Sequence, residues 1–207
     1  RGLPLGNGRN LDSELGAIVA PMPFLARTLS RINLTSPRLQ GAATTWLDEP
    51  RNVSAAASLG QPLQHEGLFA SGVQRLPGTV LQLGAQWDAP PDPEALRQAL
   101  DQRRLPRAWS AAVMLGEGRG LAPFGVYGSA WADSVPPSLG TRFNARSAWM
   151  AAGGDTKNLQ WQAQALSTRL SGASLQADDA QTTSGIWADM NWNRGAFAHG
   201  AGGYALQ

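Results

Sequence analysis

The stretch "NLQWQAQALSTRL", Asn158 to Leu170, alternates with period two: Gln160, Gln162 and Gln164 share one side of an extended chain, and Leu159, Trp161, Ala163 and Ala165 share the other. Successive side chains of a strand point to opposite faces, so this segment is a strand with an amide stripe and an apolar stripe. Two architectures use such a strand. One is a soluble sheet with a single buried face; the other is a membrane barrel with a wet interior and a lipid-facing exterior.

The same alternation extends along the rest of the chain. Leu81, Leu83, Ala85 and Trp87 oppose Gln82, Gly84 and Gln86; Phe143, Ala145, Ser147 and Trp149 oppose Arg142, Asn144 and Arg146; Ile186, Ala188, Met190 and Trp192 oppose Trp187, Asp189, Asn191 and Asn193. Gly, Pro, Asn and Asp punctuate these runs, which predicts an all-β antiparallel meander with about a dozen short strands. The predicted strands are Glu14–Ala20, Arg31–Thr35, Ala42–Trp46, Val53–Leu59, Gly67–Gln74, Thr79–Trp87, Ala108–Leu115, Phe124–Ala132, Arg142–Ala152, Asn158–Ser171, Ser184–Asn193 and Ala196–Leu206. Two tight hairpins are expected, at Leu76-Pro77-Gly78 and at Asn193-Arg194-Gly195. In the first, Pro presets φ and Gly accepts a positive one; in the second, Gly sits near the left-handed position of a short loop.

One segment departs from the pattern. "PPDPEALRQALDQRRL" (Pro90 to Leu105) carries an N-capping Asp92, Pro93 in the first turn and Arg103 and Arg104 in the last, predicting a helical connection over about 92–104. In "LGAIVAPMPFL", a strand is expected to stop at Pro21 and Pro23.

Composition narrows the function classes. Of 207 residues only 15% are charged, and there are 24 Gly and no Cys, which excludes a disulfide framework, a cysteine-ligated metal and a thiol nucleophile. A net charge of +2 without a basic run is no footprint for nucleic acid. No run reaches the 18 or so apolar residues of a membrane-spanning helix. The chain starts without Met or a secretory leader, which reads as a mature segment or a fragment; one β-rich domain over 1–207, or part of a larger barrel, is the expected organisation.

No constellation for catalysis stands out, and the chain is expected not to be an enzyme. His65 and His199 lack metal-ligand spacing, so neither a metal nor a cofactor is expected. Asp48 with Glu49, Asp88 with Asp92, and Asp178 with Asp179 lie among turn-forming residues, where Asp usually shapes a turn. "GEGRG" (Gly116 to Gly120) follows a predicted strand but lacks both the helix and the Gly-Lys-Ser/Thr of a phosphate loop.

The choice of polar residue favours the barrel. A soluble surface usually carries Lys and Glu, yet the polar stripes here hold Gln, Asn and Arg, and the chain contains a single lysine, Lys157. The residues expected to line a lumen or binding face are Gln82, Gln86, Arg142, Asn144, Arg146, Gln160, Gln162, Gln164, Asp189 and Asn191. Tryptophans recur near strand ends, and Trp87, Trp149, Trp161, Trp187 and Trp192 are expected at an interface, where an apolar ring with one N–H donor is favoured. The many Ala and Gly on the apolar faces suit a soluble β-sandwich equally well, which is the alternative fold.

"FGVYGSAWAD" (Phe124 to Asp133), "TRFNARSAWMAAGG" (Thr141 to Gly154) and "GIWADMNWNRGAFAHGAGGYAL" (Gly185 to Leu206) show a Gly-aromatic rhythm, polar stripes and short Gly turns. In these features, over less than half of the chain, it resembles bacterial outer-membrane β-barrel proteins of the usher and exopolysaccharide-export kind. The resemblance implies an outer-membrane location and a passive conduit or scaffold for export of a polar polymer or secreted protein, and it transfers no individual residue role. The expected partners are the lipid bilayer or neighbouring protein chains, with a polysaccharide as a further candidate. The alternative is a secreted or cell-surface sandwich, soluble or filament-forming, that binds carbohydrate or a partner subunit.

Overall fold

The computed structural model describes residues 2–28, 34, 36–65, 73–90, 109–121, 143–155, 158–172, 181–194 and 197–206. Its elements in chain order are β1 (Leu3–Gly6), β2 (Arg9–Val19), α1 (Phe24–Thr28), β3 (Arg38–Asp48), a single 3-10 turn (Glu49–Arg51), β4 (Val53–His65), β5 (Val73–Arg75), β6 (Thr79–Asp88), β7 (Ser110–Leu121), β8 (Phe143–Asp155), β9 (Leu159–Gly172), β10 (Gln181–Arg194) and β11 (Phe197–Leu206). The fold is all-β: one antiparallel sheet ordered β1-β2-β3-β4-β6-β7-β8-β9-β10-β11, with β5 paired to β4 beside this path. The sheet is not closed, since β1 and β11 stand at its two ends. The predicted helix over 92–104 and the predicted strand Phe124–Ala132 lie outside the described residues, as does most of Arg31–Thr35.

Strand connections follow local chemistry. Between β1 and β2, Asn7 and Gly8 adopt φ of 52° and 70°, the left-handed pair that a two-residue hairpin loop requires. Between β3 and β4, the Asp48 side chain caps the 3-10 turn by accepting the Arg51 N–H (3.3 Å), and Asn52 closes it at φ 52°. Connections at this end of the sheet are short, at Gly6 to Arg9, Asp48 to Val53, Asp155 to Leu159 and Arg194 to Phe197; the longer one from Asp88 to Ser110 leaves from the same end.

The hairpin expected at Leu76-Pro77-Gly78 is not formed. β5 pairs with β4 through Leu63↔Arg75 and His65↔Val73, while β6 pairs with the same β4 through Gly60↔Val80 to Val53↔Trp87. The Leu76 N–H continues the β4 ladder by donating to the Pro62 carbonyl (2.8 Å), so Pro77-Gly78 is a kink in one interrupted partner of β4. Gly78 takes φ 103°, and a side chain there would meet the Arg119 carbonyl. Pro-Gly serves a kink as readily as a turn, and local sequence does not separate the two. At the other predicted hairpin, β10 and β11 pair from Arg194↔Phe197 to Gly185↔Leu206.

β2 ends at Val19, and Pro21 and Pro23 turn the chain across one face of the sheet, where Phe24–Thr28 forms a short helix. Met22, Leu25 and Ala26 from this segment bury against Ala112 of β7 and Trp149 and Ala151 of β8. Ile18, Ala20, Leu39 and Ala43 make a second small cluster with Val80. Burying side chains such as Leu25 and Met22 contributes roughly 1.5–3 kcal/mol each.

Candidate functional site: an amide face and an aliphatic face

Register carries each strand's alternation across the sheet. Ser58 pairs with Gln82, Gln82 with Gly116, Gly116 with Ser147, Ser147 with Thr168 and Thr168 with Thr183. The parallel row runs from Ser54 through Gln86, Ala112 and Ala151 to Gln164 and Trp187. Gln160 pairs with Asn191 and Gln162 with Asp189, so these four residues join Gln82, Gln86 and Gln164 on one face.

That amide face is the covered one. Gln82, Gln86 and Gln164 are buried, as are Ser58 and Ser110. The Gln86 side chain works at both ends: its Oε1 accepts the Leu25 N–H (2.9 Å), and its Nε2 donates to both carboxylate oxygens of Asp88 (2.9 and 3.0 Å). Ser110 Oγ donates to the same carboxylate. Gln82 Nε2 donates to the Pro21 carbonyl (3.5 Å) and to Met114 Sδ (3.1 Å). The segment Ala20–Thr28 is therefore held on the amide face by hydrogen bonds as well as by packing. Gly84 sits directly under it: a Cβ at this position would lie 3.0 Å from Pro23 Cδ. Arg27, Asp12, Glu14 and Thr45 line a depression of about 340 Å³ beside the segment.

The opposite face is aliphatic and uncovered. Leu83 (44% exposed), Leu115 (54%), Met150 (58%) and Ile186 (61%) all project from it, with Leu59, Leu81, Val113 and Met190. A soluble domain buries its apolar face and wets its polar one; here the two are exchanged. No charged residue stands on this face along β6 from Leu81 to Trp87, β7 from Ala111 to Leu115, β8 from Ala148 to Ala152, β9 from Trp161 to Ala165, or β10 from Ile186 to Trp192. The hydroxyls of Ser13 and Thr44, which interrupt it on β2 and β3, bond to each other (3.2 Å), and Thr44 also donates to the Asp12 carbonyl (3.1 Å).

Tryptophans border this band at the short-connection end, and their positions follow a rule. The ladder row through Trp87 passes Val53 and Asp48 on one side, and Ala111, Ala152, Ala163 and Ala188 on the other. Trp46 lies two residues from this row on β3, Trp161 two residues on the other side on β9, and Trp192 four on β10. From β3 to β10 the tryptophans thus shift by six residues over six strand steps, one per strand. With about 3.3 Å per residue and about 4.8 Å per strand, the line they trace is inclined by about 35° to the ladder rows. The first polar residues at the other border shift in the same sense, from Gln40, Gln61 and Thr79 to Glu117 and Arg146 and then to Ser167 and Ser184. Trp109 packs edge-on against Trp87 (4.3 Å), and Trp192 stacks on His199 (5.2 Å).

Three corrections to the sequence reading follow. Asn144 and Arg146 lie on the aliphatic side, beyond its apolar band, and not with the glutamines; Ala145, Ser147 and Trp149 are the β8 residues in register with the amide face. Trp149 and Trp187 lie on the amide face and are buried, with Trp149 Nε1 donating to Gln164 Oε1 (3.4 Å), whereas Trp87, Trp161 and Trp192 are on the aliphatic face. Trp109 belongs with the border set although the sequence reading does not include it; it lies one residue before β7, inside the predicted strand Ala108–Leu115. Arg142 lies outside the described residues.

Two of the candidate carboxylates have structural partners, and Asp92, Asp178 and Asp179 lie outside the described residues. Asp48, fully buried, accepts from Arg9 Nε (3.1 Å) and the Arg51 N–H, and Asp88 holds Gln86 and Ser110. "GEGRG" continues β7. Among the described residues no group of His, Asp and Glu is placed to hold a metal ion, and no helix is long and apolar enough to cross a membrane, which leaves strands untouched. Compared with known proteins, the chain matches no family model, no curated protein and no solved structure.

Proposed function

We propose that this chain is a membrane β-barrel, or a length of one, from a bacterial outer membrane, acting as a passive conduit or scaffold for export of a polar polymer or secreted protein. The observation that carries the reading is the exposed aliphatic band with its tryptophan border. An inclination of about 35° between border and ladder rows matches strands tilted by roughly 35–45° in a membrane barrel, where aromatic girdles run level while the strands do not. Measured on β6, the eight residue steps from Trp87 to Thr79 span about 26 Å along the strand and about 21 Å across the band, close to the roughly 25 Å of such barrels. The amide face then belongs to the interior. Gln160, Gln162, Asp189 and Asn191 offer a polar polymer a series of hydrogen-bonding groups there, and Ala20–Thr28 partly fills the interior from within.

A second reading, a filament-forming sheet assembly at a cell surface, draws support from β1 and β11, each of which has an unpaired edge among the described residues. Carbonate extraction followed by detergent extraction of the native source, with the chain followed by mass spectrometry, separates the two. Retention in the membrane pellet until detergent is added is expected. Release by carbonate or buffer alone overturns the barrel.

A further inference from the structure

Beyond the apolar band, at the end opposite the tryptophan border, Glu117, Arg146 and Arg169 lie side by side in one ladder row across β7, β8 and β9. Arg119 is the next residue on the same face of β7, and Asn144 pairs with Ser171 in the row beyond. These six residues line a depression of about 310 Å³. Glu117 Oε1 receives Arg119 (Nε and Nη2, both 3.1 Å) and Arg146 (Nη2, 3.3 Å), so one carboxylate oxygen serves two guanidinium groups. Arg169 stands directly across from Arg146 and has no carboxylate partner among the described residues. Like charges placed opposite each other on neighbouring strands destabilise a sheet unless an anion lies between them. The cluster thus carries three cations and one anion, held at about three-quarters exposure for Arg119 and Arg146.

Charge at the other border is arranged differently. There Asp48 is flanked by Arg9 at 3.1 Å and Arg51 at 3.7 Å, and Glu49 adjoins it in sequence, so two cations meet two anions. Among the described side chains, the Arg119–Arg146–Arg169 border carries a surplus of cations.

We propose that this depression binds the phosphomonoester of a lipid headgroup. The inference rests on the barrel reading, which puts the depression at the level of the headgroups, two residues beyond Leu115 on β7 and Ala148 on β8. A phosphomonoester has close to two negative charges and three acceptor oxygens, which matches a surplus of two cations. Guanidinium forks present paired N–H donors to such oxygens. Asn144 Oδ1 is occupied by the Gly120 N–H (3.0 Å), which leaves its amide N–H groups as donors, and the Ser171 hydroxyl adds another.

The test refolds the full chain in the presence of three kinds of vesicle: phosphatidylcholine alone, phosphatidylcholine with phosphatidic acid, and phosphatidylcholine with phosphatidylglycerol at equal surface charge. Association is read by flotation. The parent chain is expected to associate about thirtyfold more tightly with phosphatidic acid vesicles than with phosphatidylcholine alone, by the attraction of about two juxtamembrane arginines, and more tightly than with phosphatidylglycerol. The double variant R146Q/R169Q should lose that preference while keeping its phosphatidylcholine association, and R51Q at the other border should behave as the parent. Equal association with all three vesicles overturns the site and leaves the barrel reading standing. Association with none overturns the barrel reading itself. Equal preference for phosphatidylglycerol and phosphatidic acid overturns the phosphomonoester assignment, and saturable binding of inorganic phosphate to the detergent-solubilised chain, lost in R146Q/R169Q, with no preference for phosphatidic acid vesicles overturns the lipid assignment.

Discussion

Replacing Leu83 with Arg tests the inverted arrangement of faces most directly. Leu83 projects from the aliphatic face of β6 midway between Trp87 and Thr79, four residues from each, and its cross-strand partners are Ala57 and Leu115. Four residues on a strand tilted by about 35° place it about 11 Å from either border of the band. An arginine at the midplane of a membrane barrel costs about 2–4 kcal/mol, and the penalty falls to about 0–1 kcal/mol near the interfaces. L83R should therefore destabilise the chain folded in phosphatidylcholine vesicles by about 2–4 kcal/mol. L81R, two residues from Thr79 and about 5 Å inside the border, should cost about 1 kcal/mol. Urea titrations of vesicle-folded protein, followed by tryptophan fluorescence, provide both values. In a soluble sheet an arginine replacing a half-exposed leucine changes stability by no more than about 0.5 kcal/mol. If L83R and L81R both fall within that margin, or if the parent folds in buffer to the same stability, the aliphatic face does not meet lipid.

Three further outcomes are expected. Q86A removes the amide that accepts from the buried Leu25 N–H (2.9 Å), so stability should fall by about 1–3 kcal/mol. Hydrogen exchange at the Leu25 amide should accelerate by the corresponding factor, and unchanged protection there would show that the amide does not hold the inner segment. G84V places branched carbon atoms against Pro23 Cδ, where even a Cβ comes to 3.0 Å; overpacking of this kind costs about 1–3 kcal/mol, and a chemical-denaturation midpoint equal to the parent's would mean that Pro23 does not pack on β6. Single-tryptophan variants retaining Trp87, Trp161 or Trp192 should be quenched by phosphatidylcholine brominated on its acyl chains, and those retaining Trp149 or Trp187 should not; equal quenching of Trp149 and Trp192 would contradict the division of faces.

Much of the amide face was legible because alternation within a strand is local. "LQWQAQA" assigns Gln160, Gln162 and Gln164 to one side whatever surrounds it, and the same holds for Gln82 with Gln86 and for Asp189 with Asn191. What no single strand contains is the parity that joins it to its neighbour. On β8 alternation alone assigns the most polar set, Asn144 with Arg146, to the glutamine stripe, but the ladder puts Ala145, Ser147 and Trp149 there instead. Polar residues at the end of a strand mark where it leaves the apolar band, and outside that band either face is free to be polar. Trp149 and Trp187 lie at mid-strand on β8 and β10, and their face is likewise set by the ladder, since an indole N–H is satisfied equally well by a buried glutamine or by water.

By itself, then, the sequence determined the class: an antiparallel all-β chain, the break at Pro21 and Pro23, the β10–β11 pairing and the two-sided character of each strand. Tertiary structure alone decided which side is covered, that β5 and β6 share β4 as partner, and that Ala20–Thr28 lies on the glutamines. The physical reason is register. A shift of one residue exchanges every side chain between faces, and much of the pairing that sets it joins residues distant in the chain, such as Ser58 with Gln82 or Ser110 with Gly153. Period-two alternation encodes two faces for each strand, and only the assembled ladder makes them the same two faces throughout.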